Sequence, residues 1–191
     1  MYIKILLAVM AFSCCAASIA DESLTSPYGS MVDDAGNISI PSDFDTKWVF
    51  LGTWSIAEKD VEQSAAASGH GAAALHNVYT QPGTVEAFRD TGKFPDGAVL
   101  IKELLDTETV QMTTGKVSRG NKIEGRFVMV KDTQSRFPGN KLWGDGWGWS
   151  LFDAGGNLAT KDYKTECLGC HIPAKHNDWI YIEGYPILQK P

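Results

Sequence analysis

The sequence predicts an α+β domain that consists mainly of antiparallel β-sheet with a few helices. Runs rich in Val, Ile, Trp, Tyr and Phe recur along the chain, separated by Gly, Pro, Asn and Asp, which is the pattern of short strands joined by turns. Helix start and stop signals occur in only two places. The predicted strands are residues 48–56, 75–80, 98–105, 109–113, 126–131, 147–152 and 179–182.

The first predicted helix begins at Pro82, because proline is well tolerated in the first turn of a helix. It ends at Gly92, and Val85 and Phe88 are expected to face the core. A strong turn signal, Asp-Ala-Gly-Gly-Asn, occupies residues 153–157. These signals separate the predicted strands and support an antiparallel arrangement.

The N-terminus has the features of a secretory signal peptide over residues 1–20. Lys4 gives a positive start, residues 5–12 form a short apolar run, and small residues at positions 18 and 20 suit a signal peptidase. The apolar run is well short of the about 20 residues that span a bilayer, so no transmembrane segment is expected in the mature chain. The predicted location is the periplasm.

The rest of the chain is of a size typical of one domain. Residues 21–42 are polar at first and are interpreted as a flexible leader, and residues 43–191 as the folded domain. Cys14 and Cys15 lie in the signal segment and leave a lipid-anchored form as a weaker alternative, since their sequence context is poor for lipid attachment.

The formal net charge of the chain is −6 at pH 7, and no basic patch or arginine-rich run occurs. Nucleic acid is therefore a poor candidate partner. A mildly acidic protein of this kind could still dock a small basic electron carrier. A soluble electron acceptor is thus compatible with the charge.

The most informative motif is Cys167-Leu168-Gly169-Cys170-His171, on a C-terminal helix that we predict to begin near Thr160 as N-cap and to pack against the sheet. In a CxxCH motif two thiols can add to the vinyl groups of a haem and the adjacent imidazole then ligates the iron. A redox CxxC would normally follow a strand in a βαβ pattern, and none is visible. A zinc site would need more ligands, and only His176 lies nearby. The motif predicts one covalently attached haem c, with His171 as axial ligand.

No methionine follows this motif, and the last one in the chain is Met129, in a predicted strand. Helical electron-transfer cytochromes carry the motif near the N-terminus, with a methionine ligand downstream. A methionine-ligated iron is therefore not expected, and the sequence favours an open sixth position.

Lys102 and Glu103 are the charged residues of an otherwise apolar strand, and alternation places them on opposite faces. Two interpretations are open. One of these side chains could lie at an edge and extend to water, or Lys102 could point at the haem, where burial would favour a neutral amine able to form a covalent bond. Lys102 shares its face with Ala98, Leu100 and Leu104, and Glu103 with Val99, Ile101 and Leu105.

Six blocks of sequence, in order, resemble the cytochrome P460 family. The resemblance covers about residues 43–188, and the Lys-Glu block after Phe-Pro-Asp-Gly and the terminal Tyr-Pro-Ile-Leu are its most specific parts. The blocks are LHNVY at 75–79, TGKFPDG at 91–97, VLIKEL at 99–104, VKD at 130–132, ECLGCH at 166–171 and YPIL at 185–188.

The resemblance implies a predominantly β, dimeric, periplasmic haem protein with five-coordinate iron. In the cytochromes P460 proper, which oxidise hydroxylamine, a lysine is cross-linked to the porphyrin edge, and the matching position here is Lys102. A sister group, the cytochromes c′-beta, lacks the cross-link and binds nitric oxide and carbon monoxide in an apolar pocket capped by phenylalanine. Both groups imply small nitrogen-oxide ligands. Gas binding of the cytochrome c′-beta type is the alternative to hydroxylamine oxidation.

The remaining site candidates are weaker. Where hydroxylamine-oxidising members carry an arginine before the second strand block, this chain has His76, which could exchange a proton near neutral pH or could be a core residue. Phe94 and Phe127 are the candidates for an apolar wall of the haem pocket. Candidate proton-relay carboxylates are Glu103, Asp162 and Glu166; candidate aromatic neighbours of the porphyrin are Trp143, Trp147, Trp149 and Phe152.

Overall fold

A six-stranded antiparallel sheet forms the body of the protein, in the order β1-β2-β3-β4-β6-β5. The computed structural model describes residues 31–57 and 71–190, so the predicted signal peptide lies outside the described residues. The mainly antiparallel β architecture predicted from the sequence is confirmed. The strands are β1 (Val49–Ala57), β2 (Ala72–Thr80), β3 (Val99–Met112), β4 (Gly115–Lys131), β5 (Trp143–Gly144) and β6 (Trp147–Asp153).

The helices in the described part of the chain are short. The helix predicted to begin at Pro82 is confirmed, but it begins two residues later, at Thr84. It buries Val85 and Phe88 and ends before Gly92, whose φ of 73° is a left-handed conformation that favours glycine. None of the described helices is long and apolar enough to cross a membrane. They are α1 (Phe44–Lys47), α2 (Thr84–Thr91), α3 (Tyr163–Glu166), α4 (Leu168–His171) and the 3-10 helices η1 (Ile172–Asn177), η2 (Ile182–Gly184) and η3 (Pro186–Leu188).

β3 is longer than predicted, because the runs 98–105 and 109–113 join into one strand. The polar residues between them continue the ladder with β4, with irregular register between Leu104 and Thr107. β3 and β4 are joined by a two-residue turn at Thr113 and Thr114 and pair along almost their whole length. Residues 106–108, which separate the two predicted strands, therefore belong to β3.

Each face of the sheet carries its own apolar core, which explains why β3 is apolar on both sides. The first core lies between the sheet, α2 and the C-terminal segment. It includes Val78, Leu100, Met129, Trp149, Tyr163, Cys167, Trp179 and Tyr185. The second lies between the sheet and the N-terminal segment, and includes Met31, Val32, Ile38, Phe44, Val99, Ile101, Val128 and Val130.

The second core changes the predicted boundary between leader and domain. Met31, Val32 and Ile38 are buried in it, and Val32 pairs with Ile38 in an isolated β-bridge. The part of the predicted leader that the structure describes is thus packed on the sheet. Residues 21–30 lie outside the described residues.

The C-terminal segment differs most from prediction. Residues 179–182, predicted as a strand, pass through a loop into a 3-10 helix, because Asp178 and Trp179 take left-handed φ values of 58° and 69°. The single helix predicted to carry CxxCH is not confirmed: two four-residue helical turns, α3 and α4, are separated at Cys167. The N-cap is Asp162, whose carboxylate accepts from Lys164 N, and Thr160 is instead buried, with its hydroxyl accepting from Leu151 N.

Candidate functional site

A cavity of about 380 Å³ lies between the first face of the sheet and the C-terminal segment. Its size is in the range of small-molecule and cofactor sites. Most of the side chains around it are apolar or aromatic. The lining residues are Trp54, Ile56, His76, Val78, Leu100, Lys102, Phe127, Val128, Met129, Trp149, Ser150, Glu166, Cys167, Cys170, His171, Ile180, Tyr181 and Tyr185.

The CxxCH motif forms one wall of this cavity. α4 and the break before it bring Cys167, Cys170 and His171 to the lining together. The Nδ1 of His171 lies 2.7 Å from the Trp179 carbonyl. Because a carbonyl oxygen only accepts, Nδ1 carries the proton, and Nε2 keeps the lone pair that a metal ligand needs. Burial also lowers the pKa of His171, which favours the neutral imidazole.

The two cysteine thiols are free, and their environment does not resemble a redox CxxC site. Burial, followed by the charge of Glu166, raises the pKa of Cys167 to about 11. Catalytic redox thiols have lowered pKa values instead. The described residues also contain no group of three or more His, Cys, Asp and Glu side chains that could hold a metal ion directly, so the zinc interpretation finds no ligand set there.

Lys102 lines the same cavity from the sheet side. It lies on β3, the third of six strands, so the interpretation that places it at a sheet edge is wrong. Its amine lies 4.6 Å from the centroid of the Phe127 ring, and Phe127 is its register partner on β4. Burial lowers the pKa of Lys102 below its ordinary value of 10.5, because the low-polarity surroundings disfavour the ammonium form.

His76 also lines the cavity, on β2 between Trp54 and Leu104 of the neighbouring strands. Burial is the main reason its pKa lies below 6.5, and the charge of Lys102 lowers it further. The imidazole is therefore a neutral proton acceptor at pH 7. The structure brings His76, Lys102 and Phe127 of the predicted set to one cavity.

Phe94 does not line the cavity, so its prediction as a pocket wall is wrong. Its ring is buried and packs against Phe88 at 4.6 Å and Trp147 at 5.6 Å between centroids. Phe94 precedes β3, so strand alternation does not determine where its side chain points. Its ring packs instead against the apolar face of α2. Phe94 is thus part of the first core.

Glu103 and Asp162, predicted as proton-relay groups, do not line the cavity. Glu103 lies on the opposite face of the sheet, where its carboxylate accepts from Arg126 Nε at 3.0 Å. Asp162 is engaged as the N-cap of α3. Both positions follow from local rules, alternation for Glu103 and helix capping for Asp162.

Glu166 lines the cavity although it is exposed, and its carboxylate accepts from Lys161 N at 3.1 and 3.3 Å. Of the aromatic candidates only Trp149 lines the cavity, with its ring centroid 5.0 Å from that of His171. Trp143 and Phe152 belong to the second core. Trp147 packs in the first core next to Phe94.

Several lining residues were not predicted from the sequence. Strand alternation could have identified Trp54 and Met129 as lining residues. Trp54 is the register partner of His76 on the neighbouring strand, and Met129 shares a face with Phe127 on its own strand. Tyr181 and Tyr185 come from the segment wrongly predicted as a strand and its continuation. The Tyr181 hydroxyl donates to the Cys170 carbonyl at 2.6 Å, which ties that segment to the motif.

The family model described as Cytochrome P460 matches residues 41–182. This match covers most of the chain. The chain belongs to the cytochrome P460 family. A search of curated proteins gives no match. Membership of the P460 family implies a c-type haem protein, which agrees with the motif on the cavity wall.

The residues of this P460-family cavity fit a covalently held haem. Cys167 and Cys170 provide two free thiols on one wall, and His171 presents Nε2 beside them. The remaining lining is largely apolar, as a macrocycle requires, and includes the flat faces of Trp54 and Phe127. The two thiols, the imidazole and the apolar lining of the cavity are therefore all consistent with a covalently held haem.

Proposed function

We propose that this chain is a periplasmic mono-haem cytochrome of P460 type that oxidises hydroxylamine. The observation that carries the proposal is that Lys102 lines the same cavity as Cys167, Cys170 and His171. The motif alone suits any c-type haem. A lysine on the facing wall of an apolar cavity adds the group that the family resemblance implies for a third covalent attachment.

The CxxCH residues would hold the haem. Cys167 and Cys170 would form the thioethers, and His171 would ligate the iron through Nε2 while its Nδ1–H is held by the Trp179 carbonyl. The proposed five-coordinate iron would leave a position for substrate. When bound, the haem supplies a redox-active iron that can take electrons from hydroxylamine and transfer them to an acceptor.

Lys102 supplies the proposed cross-link to the porphyrin edge. Its lowered pKa increases the fraction of neutral amine, which is the form able to make a new bond. Joining the amine nitrogen to a ring carbon breaks one N–H and one C–H bond and releases two protons and two electrons, so the reaction needs a two-electron oxidant of the peroxide class. After this step Lys102 no longer carries an ammonium charge next to His76.

His76 is the proposed proton acceptor, since oxidation of hydroxylamine releases protons together with electrons. It is neutral at pH 7 and lines the cavity. The apolar lining, including Val78 and Leu100, limits competing water and charged ligands. Glu166 at the rim could pass protons to solvent.

Peptide mapping of the purified holoprotein tests the cross-link. A protease that cuts after glutamate separates residues 87–103, which contain Lys102, from residues 167–183, which contain the motif. The proposal expects one species with the summed mass of both peptides and the haem, less the two hydrogen atoms lost in the cross-link. A Lys102→Arg variant is the control and should give haem on residues 167–183 alone. Free wild-type 87–103 peptide would rule out the cross-link.

A cytochrome c′-beta-like function is the second candidate, favoured by the apolar lining and by Phe127 on the cavity wall. Such a protein would bind nitric oxide and carbon monoxide without oxidising hydroxylamine. Steady-state reduction of an artificial acceptor by hydroxylamine separates the two. Tight gas binding with no reduction above background would favour the second candidate.

A simple electron-transfer role has one observation in its favour, because Met129 lines the cavity. The proposal of five-coordinate iron expects no bond from its sulfur. A low-spin, six-coordinate ferric spectrum at neutral pH that becomes high-spin in Met129→Leu would overturn the open site and favour electron transfer.

Three further parts of the proposal concern partners and location. We propose a soluble periplasmic electron acceptor and a homodimer, and export through the signal segment of residues 1–20. Mass analysis of the mature N-terminus in cell fractions tests export. Sedimentation of the holoprotein tests the dimer.

A further inference from the structure

The Trp179 carbonyl is the hydrogen-bond partner of the axial histidine, and its position depends on an unusual stretch of backbone. It lies 2.7 Å from His171 Nδ1. Asp178 and Trp179 both take left-handed φ values, 58° and 69°. Aspartate tolerates this conformation, but it is unfavourable for a residue as bulky as tryptophan. Contacts elsewhere must therefore hold the Trp179 backbone in place.

Trp179 N donates to the Ala174 carbonyl at 3.0 Å, and two strands of the sheet provide further contacts through Asp178. The Lys131 ammonium on β4 donates to the Asp178 carboxylate at 2.5 Å, and both side chains are largely buried. The Trp147 indole on β6 donates to the Asp178 carbonyl at 3.0 Å. The Lys131 ammonium also lies 4.8 Å from the centroid of the Trp147 ring, so the three groups form one cluster.

The Asp178 carboxylate depends on Lys131 for its pairing. Its second oxygen is buried and has no hydrogen-bond partner among the described residues. Removing the lysine would leave a buried carboxylate without a compensating charge, which is strongly destabilising. The position of Asp178 is therefore tied to Lys131.

We propose that the ion pair of Lys131 and Asp178 is a positioning device for the axial histidine. The ion pair fixes the position of Asp178, and Asp178 in turn holds the Trp179 backbone in its left-handed conformation. In that conformation the Trp179 carbonyl stays within hydrogen-bond distance of His171 Nδ1. A hydrogen bond of this kind fixes the ring orientation and makes the imidazole a stronger electron donor to the metal. Lys131 and Asp178 thus influence the iron–histidine bond without touching the haem ligand.

This inference rests on the proposed role of His171 as iron ligand, and its test measures the iron–histidine bond directly. Asp178→Asn keeps the side-chain shape and tolerance of positive φ but removes the charge. The double variant Lys131→Met with Asp178→Asn removes both charges and leaves no unpaired one. In both we expect the iron–histidine stretching band of the ferrous holoprotein to move to lower frequency, and the midpoint potential to rise.

The matched control is the other largely buried ion pair of the sheet, Glu103 with Arg126, which lies on the opposite face. Glu103→Gln with Arg126→Met should lower the melting temperature and leave the stretching band and the potential unchanged. Lys131→Arg keeps a cation opposite Asp178 and should retain most of the wild-type frequency.

The outcomes distinguish a failure of the positioning role from a failure of the proposed open iron site. An unchanged band and potential in both Asp178→Asn and the double variant would overturn the positioning role. If the wild-type ferrous protein is six-coordinate, the proposed open site fails, and the midpoint potential alone then decides the positioning role. If the double variant does not fold, Asp178→Asn and Lys131→Arg provide the comparison.

Discussion

The Lys102 amine lies over the Phe127 ring, 4.6 Å from its centroid, inside the cavity that the Cys167–His171 segment closes. The two residues are direct register partners on β3 and β4, so the pairing of these strands determines where the amine is held. An aromatic face attracts the ammonium form, whereas burial favours the neutral amine, and the net pKa of Lys102 is lowered. Desolvation is the largest cause of this lowering.

Replacing Lys102 tests its chemical role separately from its structural role. Lys102→Met keeps the length of the apolar stem and removes a group that burial disfavours, so the free energy of unfolding should not fall. Haem should stay attached at Cys167 and Cys170, while hydroxylamine-dependent acceptor reduction should be lost. Urea unfolding measures the stability, and the steady-state assay measures the acceptor reduction. Full activity in Lys102→Met would contradict the proposed role of the amine.

Single cysteine substitutions should each leave one thioether. In Cys167→Ala or Cys170→Ala the remaining thiol and His171 still hold the haem, and alkaline pyridine spectra should shift to the position of a haem with one free vinyl group. His171→Ala should retain both thioethers and change the iron coordination instead. Wild-type spectra in either cysteine variant would contradict the attachment by that residue.

His76 should set the acid limit of activity. Burial, the main cause of its lowered pKa, remains after the cross-link removes the charge of Lys102 and holds the pKa below 6.5, so activity should persist as the pH falls to 6.5 and decline only at lower pH, where the imidazole is protonated. His76→Gln should reduce the maximal rate by about 100-fold, the lower range of general base catalysis. Carbon monoxide binding, which transfers no proton, is the control and should change little.

The Asp96 carboxylate should stabilise the loop before β3 in a pH-dependent way. Arg136, followed by the hydrogen bonds of Thr133, lowers the pKa of Asp96 from 3.8 to about 2. The native state therefore favours the ionised form, and the stabilisation is complete above pH 3.8 and is lost as the pH falls through about 2. Because the pair is partly exposed, Asp96→Asn should cost only about 1 kcal/mol at pH 7. Denaturant unfolding of both proteins should give a difference that shrinks below pH 3.8.

The sequence predicted those parts of the fold and site that depend on local periodicity. Alternation along β3 placed Lys102 and Glu103 on opposite faces, and capping and burial signals located α2 around Phe88. The errors arose where tertiary contacts decide. Phe94 turned toward α2. The left-handed φ values of Asp178 and Trp179 prevent the strand predicted over residues 179–182, and no local signal indicates a tryptophan with positive φ.

The last prediction concerns Gly184, which allows Trp54 to line the cavity. A Cβ at this position would meet the Trp54 indole at 2.2 to 2.4 Å, well inside contact distance. Gly184→Ala should therefore displace the Trp54 ring and cost about 1 to 3 kcal/mol, the usual penalty for overpacking. Since Trp54 lines the cavity, the variant should also change the affinity for carbon monoxide. Gly120→Ala is the control, because it lies outside the cavity lining and a Cβ there would meet only Leu105 side-chain atoms, at 3.3 Å or more. Equal melting temperatures and gas affinities for the two alanine variants would show that the close packing of Gly184 on Trp54 does not shape the cavity wall.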